Sequence, residues 1–287
     1  MKLYLIVALF LCHSAWARWS VTAYNIRNFD KDPGAGQTNI TLLGSTIKEF
    51  KSDVMTFIEV INVEAFKKLI QQNLPGYTIT HSQCGGTGRQ KLAIVFDSTK
   101  FELVNSTEDL SFSSQSNECG SLRPVFLVTL KEKSSKKSYT FGAVHLKAGG
   151  SERAMKQRWI QYEKLKVLVD KLANQNVILM GDFNTTGYNI KDQDYVQFED
   201  FLNQKKFRTT SESLGCTSYW EGTLGNGQHQ SSILDHIVLK DSQMSEVAEV
   251  SLGAHCAELS CRPATPKELG ATYESVSDHC PIKVTFK

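Results

Sequence analysis

Short apolar runs alternate with polar turns along most of the chain, and a few stretches switch to the spacing of an amphipathic helix. Trp19 to Ile26 predicts a strand, followed by a polar Gly/Asp/Pro loop and a helix carrying Leu43, Ile47 and Phe50 on one face. Val54 to Val60 predicts the next strand. Asn62 is placed to cap a helix with the apolar stripe Phe66, Leu69, Ile70 and Leu74, ended by Pro75-Gly76. A β-rich middle follows at Tyr77 to Ser82, Lys91 to Asp97, Phe101 to Leu110, Val125 to Lys131 and Tyr139 to His145. Ser151 with Glu152 opens a long helix through Ala154, Trp159, Tyr162, Leu165, Leu168 and Leu172, and Val177 to Met180 forms a strand behind it. The last third holds a helix near Tyr195 to Leu202, a strand at Ile233 to Leu239, an irregular cysteine-bearing loop and a final strand at Pro281 to Phe286. Strands flanked by helices at both ends, with antiparallel pairs between them, predict an α/β (α+β) fold of mixed sheets packed face to face with helices outside.

The first residues depart from this scheme. Lys2, the apolar centre Leu3 to Leu11 and the small-residue exit Ala15-Trp16-Ala17 match a secretory leader over residues 1–17, leaving one domain over 18–287. The apolar run is well short of the roughly 20 residues that span a bilayer. Cys12 belongs to the leader, so six cysteines remain, an even number that suits disulfides in an exported chain. Cys256 and Cys261 are the expected local bridge, and no Cys-x-x-Cys pair supports a zinc site. A formal charge of +2 argues neither for nor against a polyanionic partner. Of the basic clusters at Lys131 to Lys137, Lys147 to Arg158 and Lys205-Lys206-Arg208, only the second adjoins candidate chemistry, which makes Lys147 a phosphate-binding candidate.

That chemistry sits where apolar strands end. Gly181-Asp182-Phe183-Asn184 places a carboxylate and an amide beyond the run Val177 to Met180, and Glu59 ends Val54 to Ile58. Asn25, His145, Asp235 and the pair Asp278-His279 occupy equivalent places. Carboxylates with amide oxygens suit a hard divalent cation, and Mg²⁺ keeps waters that phosphate oxygens replace. Two histidines can divide the base and acid work of phosphodiester hydrolysis. Each residue alone is more often structural; the conjunction carries the reading.

Taken in order, Asn25-Ile-Arg-Asn-Phe29, Ile58-Glu59-Val60, Val144-His145-Leu146, Gly181-Asp182-Phe183-Asn184, Leu234-Asp235-His236-Ile237 and Ser277-Asp278-His279-Cys280-Pro281 resemble the endonuclease/exonuclease/phosphatase superfamily. Within it, the first two motifs look most like pancreatic-type deoxyribonuclease, and His145-Leu-Lys-Ala-Gly149 is similar to secreted bacterial nucleases. The resemblance implies a four-layer α/β/β/α sandwich and a divalent ion, Mg²⁺ foremost with Ca²⁺ or Mn²⁺ as alternatives. It implies that Glu59, Asn25 and Asp278 form the metal set, and that Asp182 and Asn184 orient nucleophile and phosphate. His279 steered by Asp235 is then the base, and His145 the acid or an electrostatic stabiliser. Arg123 resembles the family's phosphate-contacting arginine, although as an isolated residue it reads equally as a surface charge.

One position departs from the pattern: by spacing from Leu92 to Phe96, Gln90 stands where pancreatic-type enzymes carry a glutamate partner for the acid histidine. An amide orients an imidazole without stabilising its cation, so a less elevated pKa is expected for His145. The expected activity is a secreted, monomeric, metal-dependent nuclease acting on DNA, with RNA as a second substrate, and leaving 5′-phosphate ends. A sphingomyelinase-like phosphodiesterase is the runner-up, disfavoured because Phe112 stands among serines and Tyr219-Trp220 is only a pair, so no stable membrane association is expected. An inactive binding module is the third reading, disfavoured by the completeness of the set. Of the sequons at Asn39, Asn105 and Asn184, the last falls inside the proposed site and should stay bare.

Overall fold

The computed structural model describes residues 19–30, 38–113, 119–222 and 225–287, so the predicted leader lies outside the described residues. In chain order the elements are β1 (Ser20–Phe29), α1 (Ile40–Glu49), β2 (Val54–Val60), α2 (Val63–Asn73), β3 (Tyr77–His81), β4 (Lys91–Asp97) and β5 (Phe101–Asp109). They continue with β6 (Val125–Glu132), β7 (Ser138–His145), α3 (Glu152–Lys171), β8 (Asn176–Asp182), α4 (Gln193–Lys205), β9 (Phe207–Thr209), β10 (Ser218–Trp220) and β11 (Gln230–Ser232). The last are β12 (Asp235–Lys240), β13 (Val247–Leu252), α5 (Ala254–Glu258), α6 (Pro266–Ser275) and β14 (Ile282–Phe286). The predicted caps are present: the side chains of Asn62 and Ser151 accept the backbone N–H of Ala65 and Ala154.

Two mixed six-stranded sheets form the middle of the molecule, one ordered β13-β14-β1-β2-β4-β3 and the other β5-β6-β7-β8-β12-β9. Alternation within single strands shows how they stack. In β1, Val21 and Ala23 enter the core shared by both sheets, while Tyr24 and Ile26 pack outward against α1 and α2. On the second sheet, Ala143 and Met180 face the shared core and Val144 and Leu179 face α3 and α4. The central strands of each sheet are covered on both faces, which is why they read as continuous apolar runs in the sequence, while edge strand β5 is largely exposed. The four-layer sandwich expected above is the fold found.

Three expectations need correction. The segment taken as an irregular cysteine-bearing loop contains β13, α5 and α6. Its helix signal is local: Thr265 and Glu268 form a capping box and Pro266 occupies the first turn. The strand beginning at Ile233 starts at Asp235 instead, because the Thr217 hydroxyl takes the N–H groups of Leu234 and Asp235 and Asn189 takes that of Ile233. The bridges are Cys84–Cys119, Cys216–Cys261 and Cys256–Cys280, so Cys256 and Cys261 are not partners. Helix α5 separates them in direction: Cys256 faces Cys280 at the head of β14, and Cys261, at positive φ beyond the helix, faces the Gly215-Cys216 turn. Among the described residues no helix is long and apolar enough to cross a membrane.

Phe141 is fully buried between the sheets, edge-on to Trp19. Phe141→Ala is expected to cost about 3–5 kcal/mol, read as a lowered urea midpoint with the same transition slope.

Candidate active site

Strands from both sheets end at one edge of the sandwich. Parallel pairing aligns the ends of β7 and β8, setting His145 opposite Asp182, and antiparallel pairing sets Asp235 of β12 opposite Asp182 on its other side. The approach of β7 and β8 needs a glycine: a Cβ on Gly181, at φ 135°, would stand 2.3 Å from the Val144 carbonyl oxygen.

In the other sheet, β1 and β2 both lose regular register near their ends, between Asn25 and Phe29 and between Phe57 and Val60. Glu59 therefore adopts φ 68°, and Arg27 and Asn28 also have positive φ. Such conformations cost roughly 1–3 kcal/mol each and persist where surrounding contacts hold them. Here the contacts are visible. The Asn28 N–H donates to Glu59 Oε2 at 2.8 Å, and the Asn25 amide donates to Glu59 Oε1 at 3.2 Å and to Asp182 Oδ2 at 3.1 Å. One side chain thus ties two carboxylates from different sheets.

His279 reaches the same spot from the turn before β14. The Ser277 hydroxyl donates to the Asn25 carbonyl and accepts the His279 N–H, fixing that turn on β1. His279 Nδ1 meets Asp235 Oδ2 at 2.7 Å, and Nε2 lies 3.9 Å from Asp182 Oδ2. Burial alone would lower this imidazole's pKa, but the charge and hydrogen bond of Asp235, with Asp182 and Asp278, outweigh it and hold it well above the ordinary histidine range. Asp182 is raised to about 7 by burial first, against the lowering charge of His279, with Asp235 adding to the rise.

His145 behaves oppositely. Its Nε2 lies 3.6 Å from both Glu59 and Asp182, distances that would be ion pairs only if the ring were charged. Burial, then the charges of Arg123 and His279, hold its pKa well below the ordinary value, so the ring is neutral. Its Nδ1 is buried without a hydrogen-bond partner. Gln90 does not supply one: its amide donates to Asn28 Oδ1 at 2.9 Å. The orienting amide anticipated at that position serves a different neighbour.

Arg123 Nε donates to the His145 carbonyl and Nη2 to that of Leu146, placing a guanidinium beside His145, Asp182 and Glu59. The Asn184 N–H donates to Asp182 Oδ1, and its side-chain amide to the Leu146 carbonyl, so it joins the loops after β7 and β8. Lys147 lies among Arg123, Arg158 and Arg153, and burial followed by those charges lowers its pKa. Sequence reading missed one organiser. Arg158, fully buried, pairs with Asp194 and donates to the carbonyls of Lys147 and Gly149 and to Thr186, clamping both loops to α3 and α4. Its only sequence signal is a charged residue on an otherwise buried helix face.

Whether the site suits a hard cation is a question of donor chemistry. Glu59 and Asp182 converge on Asn25, and Asp235 and Asp278 each keep a buried Oδ1 without a hydrogen-bond partner. The convergence of the Glu59 and Asp182 carboxylates on one amide fits a hard divalent ion, which takes oxygen ligands. Asp182, Asp235 and His279 lie close enough to share one, but the Asp235–His279 pair is already closed, which favours the Glu59–Asp182 side. Asp278 neighbours His279, and among the described residues no ion pair or hydrogen bond joins its carboxylate to Glu59. The cluster His255, Cys256 and Cys280 is no metal site, because its sulfurs form a disulfide.

A family model described as the Endonuclease/Exonuclease/phosphatase family matches residues 22–279. The fold is similar to that of an endonuclease/exonuclease/phosphatase family protein from Bacteroides thetaiotaomicron, with TM-score 0.64 and 20% identity over 94% of this chain and 97% of that one. It is also similar to D. rerio TDP2 complexed with single strand DNA product, with TM-score 0.63 and 14% identity over 94% and 99% of the two chains. A Bacteroides thetaiotaomicron mannosyl-6-phosphatase gives TM-score 0.61 and 20% identity over 94% and 99%. No curated sequence matches the chain.

Asp235→Asn should move the His279 titration to lower pH, while His145 should stay uncharged to well below pH 6.5 in both proteins. Imidazole NMR titrations of the metal-free protein read both; an unmoved His279 would show that Asp235 does not set its charge.

Proposed function

Because the chain belongs to the Endonuclease/Exonuclease/phosphatase family, we propose that this phosphoesterase is an exported, monomeric, divalent-metal-dependent nuclease that hydrolyses DNA, and RNA as a second substrate, to leave 5′-phosphate ends. The observation that carries the reading is the Asp235–His279 pair at 2.7 Å, aimed at the carboxylates that Asn25 ties together. Export is supported by the leader-like first residues and by three disulfides among the described residues. A DNA substrate is supported by the DNA-bound relative, and the sugar-phosphate relative shows that fold alone does not select it.

Asp235 holds Nδ1 of His279, leaving Nε2 toward Asp182 to take the proton of an attacking water. Asp182 and Asn184 align that water and the phosphate, and Arg123 with Lys147 supplies positive charge at the phosphate oxygens. Water oxygen adds to phosphorus as the P–O3′ bond breaks; the 3′ oxygen leaves and is protonated from solvent, and the phosphate stays on the 5′ side. His145, kept neutral, contributes an Nε2–H hydrogen bond to the phosphoryl group, which favours the stabilising role over that of an imidazolium acid. Glu59 and Asp182, tied together by Asn25, would hold a divalent cation, which would neutralise phosphate charge when bound.

His279→Ala and His145→Ala should each lower kcat about 10²–10⁴-fold, and His279→Ala should also lower Tm, because it leaves the buried Asp235 carboxylate without its partner. The base must be deprotonated and its pKa is raised, so kcat/KM should climb with pH through neutrality, with an acid limb above pH 6.5. Incubation with plasmid DNA, RNA and sphingomyelin, each with Mg²⁺ or EDTA, discriminates the readings. Lipid turnover alone would assign the runner-up, no turnover would assign a binding module, and EDTA-insensitive cutting would remove the metal.

A further inference from the structure

We infer that Gln90 is a positioning residue for the metal-binding carboxylate Glu59 and not for His145, an inference that rests on the metal-dependent reading above. The geometry forms a relay. Gln90 Nε2 donates to Asn28 Oδ1 at 2.9 Å, the Asn28 N–H donates to Glu59 Oε2 at 2.8 Å, and Asn25 holds the other carboxylate oxygen at 3.2 Å. Asn28 and Glu59 both sit at positive φ, which asparagine tolerates and glutamate rarely adopts, so Glu59 depends on its contacts to hold it. Asn28 has its side-chain oxygen held by a residue 62 positions away, which pins the strained turn at the distance Glu59 requires.

Gln90 is itself fixed. Its N–H donates to the Gly85 carbonyl at 2.9 Å, and a Cβ on Gly85 would lie 2.6 Å from the backbone of Arg89, so the glycine-rich turn closes only without a side chain there. The near end of the turn is tied by the Cys84–Cys119 bridge and by Glu108, which accepts the N–H groups of Gln83 and Cys84. The turn is thus anchored to β5 and presents an amide to Asn28.

Removing the residue bonded to a metal ligand typically costs 10–100-fold in affinity, and Gln90 stands one hydrogen bond further out, at the lower end of that range. Mn²⁺ binding to the full chain, measured by calorimetry without substrate, should weaken about tenfold in Gln90→Ala. Asn28→Gly keeps the positive φ and removes the same oxygen, so it should weaken binding similarly, and the double variant should lose no more than either single one. Unchanged Mn²⁺ affinity in Gln90→Ala, or additive losses in the double variant, would overturn the relay. A shifted pH–rate profile with unchanged affinity would return Gln90 to His145. Wild-type protein that binds no Mn²⁺ would sink the metal reading itself, a result distinct from each of these.

Discussion

A single amide links the two halves of the molecule at its working edge. Asn25 belongs to one sheet, Asp182 to the other, and the hydrogen bond between them exists only if the sheets stack at the correct offset. The same holds for His279 and Asp235, which come from opposite sheets and meet at 2.7 Å. The shared core of Val21, Ile58, Phe141, Met180 and Ile237 is therefore more than a source of stability. It sets the register in which groups far apart in sequence become neighbours, and interiors packed to crystal-like density transmit small shifts to such contacts.

Gathering carboxylates in a buried place has an electrostatic consequence. The native state binds protons more tightly than the unfolded chain at Asp182, raised from 3.8 to about 7, and at His279, raised above 6.5. Both shifts have one sign: their contribution to stability is complete at low pH and is lost as pH rises through the folded values. The metal-free site thus opposes the pH at which its base would work. A bound cation relieves this opposition by supplying the positive charge that protons supply in acid. The neutral His145 fits the same balance, because Arg123 already provides a cation on its side of the cluster.

Much of this was legible in the sequence because the constraints are local. A strand buried on both faces reads as an apolar run, and a charged residue ending such a run marks the place where chain leaves core for site. Glu59, His145 and Asp182 were visible for that reason, and His279 for its place beside Asp278 just before the last strand. The relay through Asn28 was not, since it depends on positive φ at consecutive residues and on a turn more than sixty positions away. Nor was Arg158, whose significance lies in carbonyls brought to it by two separate loops. The cysteine pairing failed for a related reason: proximity in sequence says nothing of the direction in which a short helix points its ends.

Specificity should be sought where the sheets stop contributing. The carboxylate and imidazole set hangs on strand ends of a fold that solved structures share at 14% and 20% identity. The elements around it are loops held by side chains: the Lys147 segment clamped by Arg158, the glycine-rich turn clamped by Cys84 and Glu108, and the β10–β11 ribbon against His279. On that ribbon Tyr219 is buried and donates to the Arg262 carbonyl, while Trp220 is 45% exposed. The strands therefore fix what bond chemistry is possible, and the clamped loops fix whose phosphate is presented to it.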